Sequence, residues 1–256
     1  IHNLCEANGV IVAVTYALPE NNSQGVEVLK QIWRSTNNGA SWTLAWDGGK
    51  GQFNHFHSVV YHQATGRWIA DTGDSETYHR HTFTSTDDGQ TWHEWWTEFM
   101  PPGPNQSSPT GQVTCFRDVG DPQRLFLGSD GNQRVGWFDL ATWRAGTLMD
   151  RQFTNRGPQW YVWDLSRFDD VWYASMASSA GGQETPVVLA SSDLSRWVVC
   201  GRLTPDQNTY LTFGYCAGRF NDALHYIVAK EGGHLLHARV PVVKVAEVNG
   251  VCVSPA

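Results

Sequence analysis

Apolar and polar residues alternate with a period of two along most of this chain, and apolar spacings of three or four are not prominent. Alternation places successive side chains on opposite faces of an extended strand, so the pattern predicts β-structure and no amphipathic helix. Five short β-branched or aromatic runs carry it most clearly: Val10–Val14, Arg67–Ala70, Arg124–Leu127, Val171–Ala174 and Leu224–Val228. Each follows a Gly, Asp or Asn turn, as a strand does. Before each lies a further run, beginning near Ile1, His55, Gly111, Tyr161 and Leu211, which predicts a preceding strand.

The turns repeat as well. Ser85-Thr86-Asp87-Asp88-Gly89-Gln90-Thr91-Trp92 has an Asp to accept backbone N–H bonds, a Gly for positive φ and a Trp to pack beneath. A second copy, Ser35-Thr36-Asn37-Asn38-Gly39-Ala40-Ser41-Trp42, has Asn in place of Asp. Shortened forms follow at Asp139–Trp143 and Asp193–Trp197, so the key positions 37, 87, 139 and 193 are 50, 52 and 54 residues apart. Repeats of about 40–50 residues with turn signals and aromatic anchors mark propeller blades. The expected fold is all-β, a single β-propeller domain of five four-stranded blades, approximately 1–50, 51–105, 106–155, 156–205 and 206–256. A longer native chain with more blades is compatible with the same pattern.

The eight-residue turn fits an Asp-box and resembles the bacterial neuraminidase repeat of sialidase-like β-propellers. That resemblance implies architecture. Its carboxylates Asp87, Asp139 and Asp193 are structural, because the hairpin joins the third and fourth strands, away from the face where propeller sites lie. A sialidase would also need an Arg-Ile-Pro segment and three arginines. The chain lacks the former, and Arg80 and Arg134 are its candidate channel-face arginines. The five units are also similar to arabinanase- and fructosidase-type glycosidases, although Ile1-His2-Asn3 stands where those have an Asp. A third likeness is to propeller polysaccharide lyases, which remove the proton α to a uronate carboxyl with His and Tyr.

Composition narrows the partners. A net charge of −7 with only 18 Lys plus Arg argues against nucleic acid. No apolar run reaches the roughly 18–20 residues of a membrane span. Thirteen Trp suit a glycan-facing protein, secreted or at the cell surface, with an oligosaccharide or polysaccharide as partner. Five Cys without a CxxC leave two readings, a Cys5–Cys216 bridge or buried free thiols.

The candidate chemistry sits at the starts of the inner strands and in the second-to-third-strand loops. His55 and His57 share one side of a strand, and His79 and His81 repeat the spacing. Structural packing, a general base beside a Tyr and an Arg, and a divalent-ion site completed by Asp74 all remain open for this cluster. Expected catalytic residues are His57, Tyr78, His79, Arg80 and Tyr210. Expected substrate contacts are His55, Asp74, Gln112, Arg134, Trp160 and Trp163, the two Trp as stacking platforms.

No cofactor is required by this reading, and no metal ligands are assigned. The leading expectation is β-elimination on a uronic-acid polysaccharide, which needs a base, an acid and a cation. The alternatives are a hydrolase pairing carboxylates among Asp74, Asp130 and Glu184, and a non-catalytic lectin-like propeller.

Overall fold

A computed structural model describes residues 3–16, 30–48, 53, 55–73, 79–99, 112–130, 135–142, 144–149, 160–178, 187–194, 196–202, 213–230 and 234–242. All nineteen elements among them are strands. Consecutive strands pair into antiparallel sheets in simple up-and-down order. The first sheet holds β1 (Leu4–Ala7), β2 (Val10–Val14), β3 (Gln31–Ser35) and β4 (Thr43–Asp47). The second holds β5 (His55–His62), β6 (Arg67–Gly73), β7 (His79–Ser85) and β8 (His93–Phe99). The third holds β9 (Gln112–Asp118), β10 (Arg124–Asp130), β11 (Val135–Asp139) and β12 (Arg144–Met149). The fourth holds β13 (Trp160–Phe168), β14 (Val171–Ser178), β15 (Val187–Ser191) and β16 (Val198–Arg202). The fifth is β17 (Phe213–Phe220), β18 (Ala223–Lys230) and β19 (His234–Pro241).

The five β-branched or aromatic runs are the second strands β2, β6, β10, β14 and β18. Their hairpins need left-handed residues, and the sequence supplies tolerant ones. Asn8 and Gly9 have φ of 54° and 74°, and Asp169 and Asp170 have 48° and 61°. Two consecutive positive φ values match the right-handed twist of the flanking strands, whereas ordinary turns would splay them. Four of the sheets have the expected four strands, and the fifth has three among the described residues.

The chain divides into two compact units, residues 1–126 with 138–145, and residues 127–137 with 146–256. Within the first, Val12, Ile32, Phe56, Trp68, Phe83 and Trp92 form a core, with β1 packed on β5 and β5 on β9. Within the second, Tyr173, Val188, Leu224 and Tyr226 do the same, with β13 on β17. Each unit therefore lines up the first strands of neighbouring sheets.

The turns between third and fourth strands are closed by side chains. Asp87 Oδ1 accepts from Ser85 Oγ and from the backbone N–H groups of Gln90 and Thr91, while Oδ2 accepts from Thr91 Oγ1 at 2.6 Å. Asn37 accepts from Ser35 Oγ and Ser41 N in the same way, and its amide donates to Ser41 Oγ. Trp92 and Trp197 lie buried and donate Nε1–H to Gly89 O and Leu194 O. Trp42 departs from the expected anchor role: it is 38% exposed.

Cys5, Cys115, Cys200 and Cys216 are free thiols, which corrects the Cys5–Cys216 bridge reading. Cys252 lies outside the described residues. No helix among the described residues is long and apolar enough to cross a membrane.

Candidate functional site

Three first strands carry a β-bulge, and the extra residues are His57, Trp163 and Ala217. A bulge lets two residues oppose one, which increases local twist and re-aims a side chain. His57 and Trp163 thus hold corresponding places in their sheets, and the corresponding residue of the fifth sheet is Ala217. The residue after the bulge then reaches the next sheet. Ser58 Oγ accepts from Phe116 N at 3.1 Å, and Asp164 Oδ2 accepts from Cys216 N at 3.0 Å. Phe56 N, just before its bulge, donates to Thr15 O at 3.2 Å.

His55 and His57 share one side of the strand, as their spacing requires. Their Nε2 atoms lie 2.9 Å apart, with rings 4.9 Å apart and tilted by 30°. One ring must hold its hydrogen on Nε2 and the other on Nδ1, since a hydrogen bond needs one donor and one lone pair. The side chains are 0% and 2% exposed. Half-buried Tyr16 packs over the pair, 4.1 Å from His55 and 6.0 Å from His57 between ring centroids. Tyr16 was not among the expected site residues. The usable signal was its position directly after β2, in the loop class already singled out.

His81 lies buried on β7. Its Nδ1 is 2.8 Å from Glu94 Oε1, and its backbone N–H donates to Thr72 Oγ1. Its ring sits 5.7 Å from Phe53, which Trp46, Phe56 and Phe83 also surround. Lys30 Nζ rests 5.5 Å above that same Phe53 ring. Fully buried Asp71 accepts from Thr82 Oγ1 at 2.9 Å. The second sheet therefore carries two polar groupings: the His55–His57 pair under Tyr16, and His81 with Glu94 beside the Phe53 ring that Lys30 overlies.

Of the other expected residues, Trp163 is buried, 6% exposed, and offers no open stacking face. Trp160, Gln112, His79 and Arg80 are placed as strand residues, with side chains outside the described set. Tyr78, Asp74, Arg134 and Tyr210 lie wholly outside the described residues. No group of three or more His, Cys, Asp or Glu side chains among the described residues is arranged to hold a metal.

Electrostatics separate structural groups from chemical ones. Burial pushes the Asp87 carboxyl up, but the bonds from Thr91, Ser85 and Gln90 outweigh it and lower its pKa to about 2. Bonds from Thr142 lower Asp139 likewise. Burial raises Cys200 to about 12, and burial with the Asp164 charge raises Cys216 to about 11. A thiol reacts as thiolate, so neither is a nucleophile at neutral pH.

No protein-family model matches this chain, and no curated protein sequence does. Solved structures do. A GH43 β-1,3-galactosidase is similar with a TM-score of 0.56 and 12% identity, over 94% of this chain and 56% of that one. An exo-β-1,3-galactanase from Phanerochaete chrysosporium has a TM-score of 0.58 and 10% identity, over 89% and 56%. A GH43 β-1,3-galactosidase solved with galactodeoxynojirimycin has 0.58 and 8%, over 96% and 92%. This chain thus spans little more than half the length of the first two.

The likeness shows the fold: the antiparallel sheets are the blades of a β-propeller. It also corrects the sialidase-like assignment, because the structures of like fold are two GH43 β-1,3-galactosidases and an exo-β-1,3-galactanase. The reason is local. A hydrogen-bonded turn can serve any antiparallel strand pair, so it does not specify a superfamily.

Proposed function

We propose that this protein is a carbohydrate-active enzyme that hydrolyses glycosidic bonds in an oligosaccharide or polysaccharide. The observation that carries the reading is its likeness, over nearly its whole length, to β-1,3-galactosidases and an exo-β-1,3-galactanase. Hydrolysis moves ahead of β-elimination for a second reason. A base that takes a proton from a polymer must reach it, and His57 is almost completely buried.

Hydrolysis needs one carboxylic acid at the leaving oxygen and one carboxylate for water or for covalent attack. We assign these roles to a pair among Asp74, Asp130 and Glu184, on the sequence argument that second-to-third-strand loops face the substrate. Tyr16 supplies a ring for a sugar face, and the His55–His57 pair behind it fixes that ring's position. Tyr78, His79, Arg80 and Tyr210 remain candidates for substrate contact. On this reading the partner is a glycan, and the protein is secreted or at the cell surface.

The test is incubation with β-1,3-galactan, arabinan, xylan and uronic-acid polysaccharides. Reducing ends and the absorbance of unsaturated uronates are measured on the same samples. New reducing ends without that absorbance are the expected result. Unsaturated uronate would restore β-elimination, and silence on every polymer with saturable glycan binding would make the propeller a binding module.

A further inference from the structure

A second histidine pair lies on the fifth sheet and is used by nothing assigned above. His225 on β18 and His237 on β19 are offset by one diagonal step, since His225 pairs with Arg239 and Ile227 with His237. Diagonal neighbours on one face are within reach of long side chains. Here His225 Nδ1 and His237 Nε2 are 2.8 Å apart, with ring planes 20° from parallel. His237 is exposed and His225 half-buried. We propose that this pair is a surface chelate for a square-planar or octahedral divalent transition metal, copper(II) or nickel(II).

The separation of the nitrogens selects the metal class. Two metal–nitrogen bonds of about 2.05 Å spanning 2.8 Å enclose an angle of roughly 86°. That is the cis angle of a square-planar or octahedral ion. A tetrahedral zinc would need its two nitrogens about 3.3 Å apart.

The surroundings permit binding. Phe220 meets the His225 ring edge-on at 6.1 Å, and His237 stays open to solvent. Arg239, the nearby cation, is paired at 2.8 Å with Asp222 Oδ1, which offsets its charge. Without metal, one inner nitrogen carries the hydrogen that bonds the other. Moving that hydrogen to the outer nitrogen of its own ring leaves two inner lone pairs, with no net proton change. With two protein ligands, water fills the other positions.

The experiment titrates chelator-treated, tag-free full chain with nickel(II) and copper(II), by calorimetry and copper electron paramagnetic resonance. The expected result is one saturable equivalent with a two-nitrogen signature, lost in H225N and H237N and kept in H93N, which removes an exposed histidine of β8. Magnesium and calcium should give no heat. Far-ultraviolet circular dichroism establishes that the surface variants fold, and H237Q repeats the test should H237N not fold. Binding that persists at the same stoichiometry in folded H225N and H237N, or a wild-type chain that takes up neither metal, overturns the site.

Discussion

His55 and His57 face each other through their Nε2 atoms at 2.9 Å, inside the strand that opens the second sheet. The two-residue spacing puts both rings on one side of the strand, and the β-bulge falls at His57 itself. A buried imidazole pair of this kind holds one hydrogen between two lone-pair sites, and so couples the two residues energetically.

That coupling is measurable. His55→Ala and His57→Ala should each lower stability by about 1–3 kcal/mol, since each strands a buried polar partner. The double variant should lose less than the sum, by about 0.5 kcal/mol or more. Urea denaturation of the four proteins tests this. Strict additivity would mean that the 2.9 Å contact contributes nothing.

Asp87 gives the chain an acid-sensitive turn. Its pKa is about 2 in the folded protein and about 3.9 unfolded, so the folded value is the depressed one. Its contribution is therefore complete above about pH 4 and disappears as pH falls toward 2. Asn37 shows that an amide can close the same turn without charge. Asp87→Asn should keep the fold and lose about 1 kcal/mol at neutral pH, after allowing for solvent screening. The wild-type and variant stability curves should converge below pH 4; parallel curves across that range would refute the assignment.

Gly89 and Gly39 occupy matching turn positions at φ of 76° and 81° but differ in their surroundings. A Cβ on Gly89 would lie 2.9 Å from Val12 Cγ2, whereas on Gly39 the nearest atom is Trp42 Cζ2 at 3.7 Å. Gly39→Ala should cost about 1–2 kcal/mol from backbone strain alone. Gly89→Ala should cost more, because strain and a core clash combine. Thermal denaturation ranks the two, and equal losses would show that Val12 yields freely.

Tyr16 distinguishes the proposed sugar contact from simple packing. Tyr16→Phe retains the ring against His55 and should keep most activity on a hydrolysed glycan. Tyr16→Ala should lower kcat/KM by about tenfold, which is about 1.4 kcal/mol of transition-state binding. Steady-state kinetics of both variants supplies the check. Unchanged kinetics in Tyr16→Ala would confine the residue to a packing role.

Much of this architecture was legible because strand alternation and tight turns are short-range. The run Val10–Val14 coincides with β2, and the runs starting at Arg67, Arg124 and Val171 begin β6, β10 and β14 at those same residues. Likewise Asn8-Gly9 can only turn tightly, whatever surrounds it. The candidate site was legible only in part. His55 and His57 stood out by spacing, but Tyr16 joins them across some forty residues, through the Thr15–Phe56 backbone bond.

The amino-acid sequence by itself determined the strands, their order within each unit and the hydrogen-bonded turns, since these rest on neighbours within a few residues. Tertiary packing settled where three of the first strands bulge, that Trp163 and His57 are buried, and that His225 meets His237. Those outcomes depend on register between strands and on packing of one sheet against the next. No residue carries that information alone.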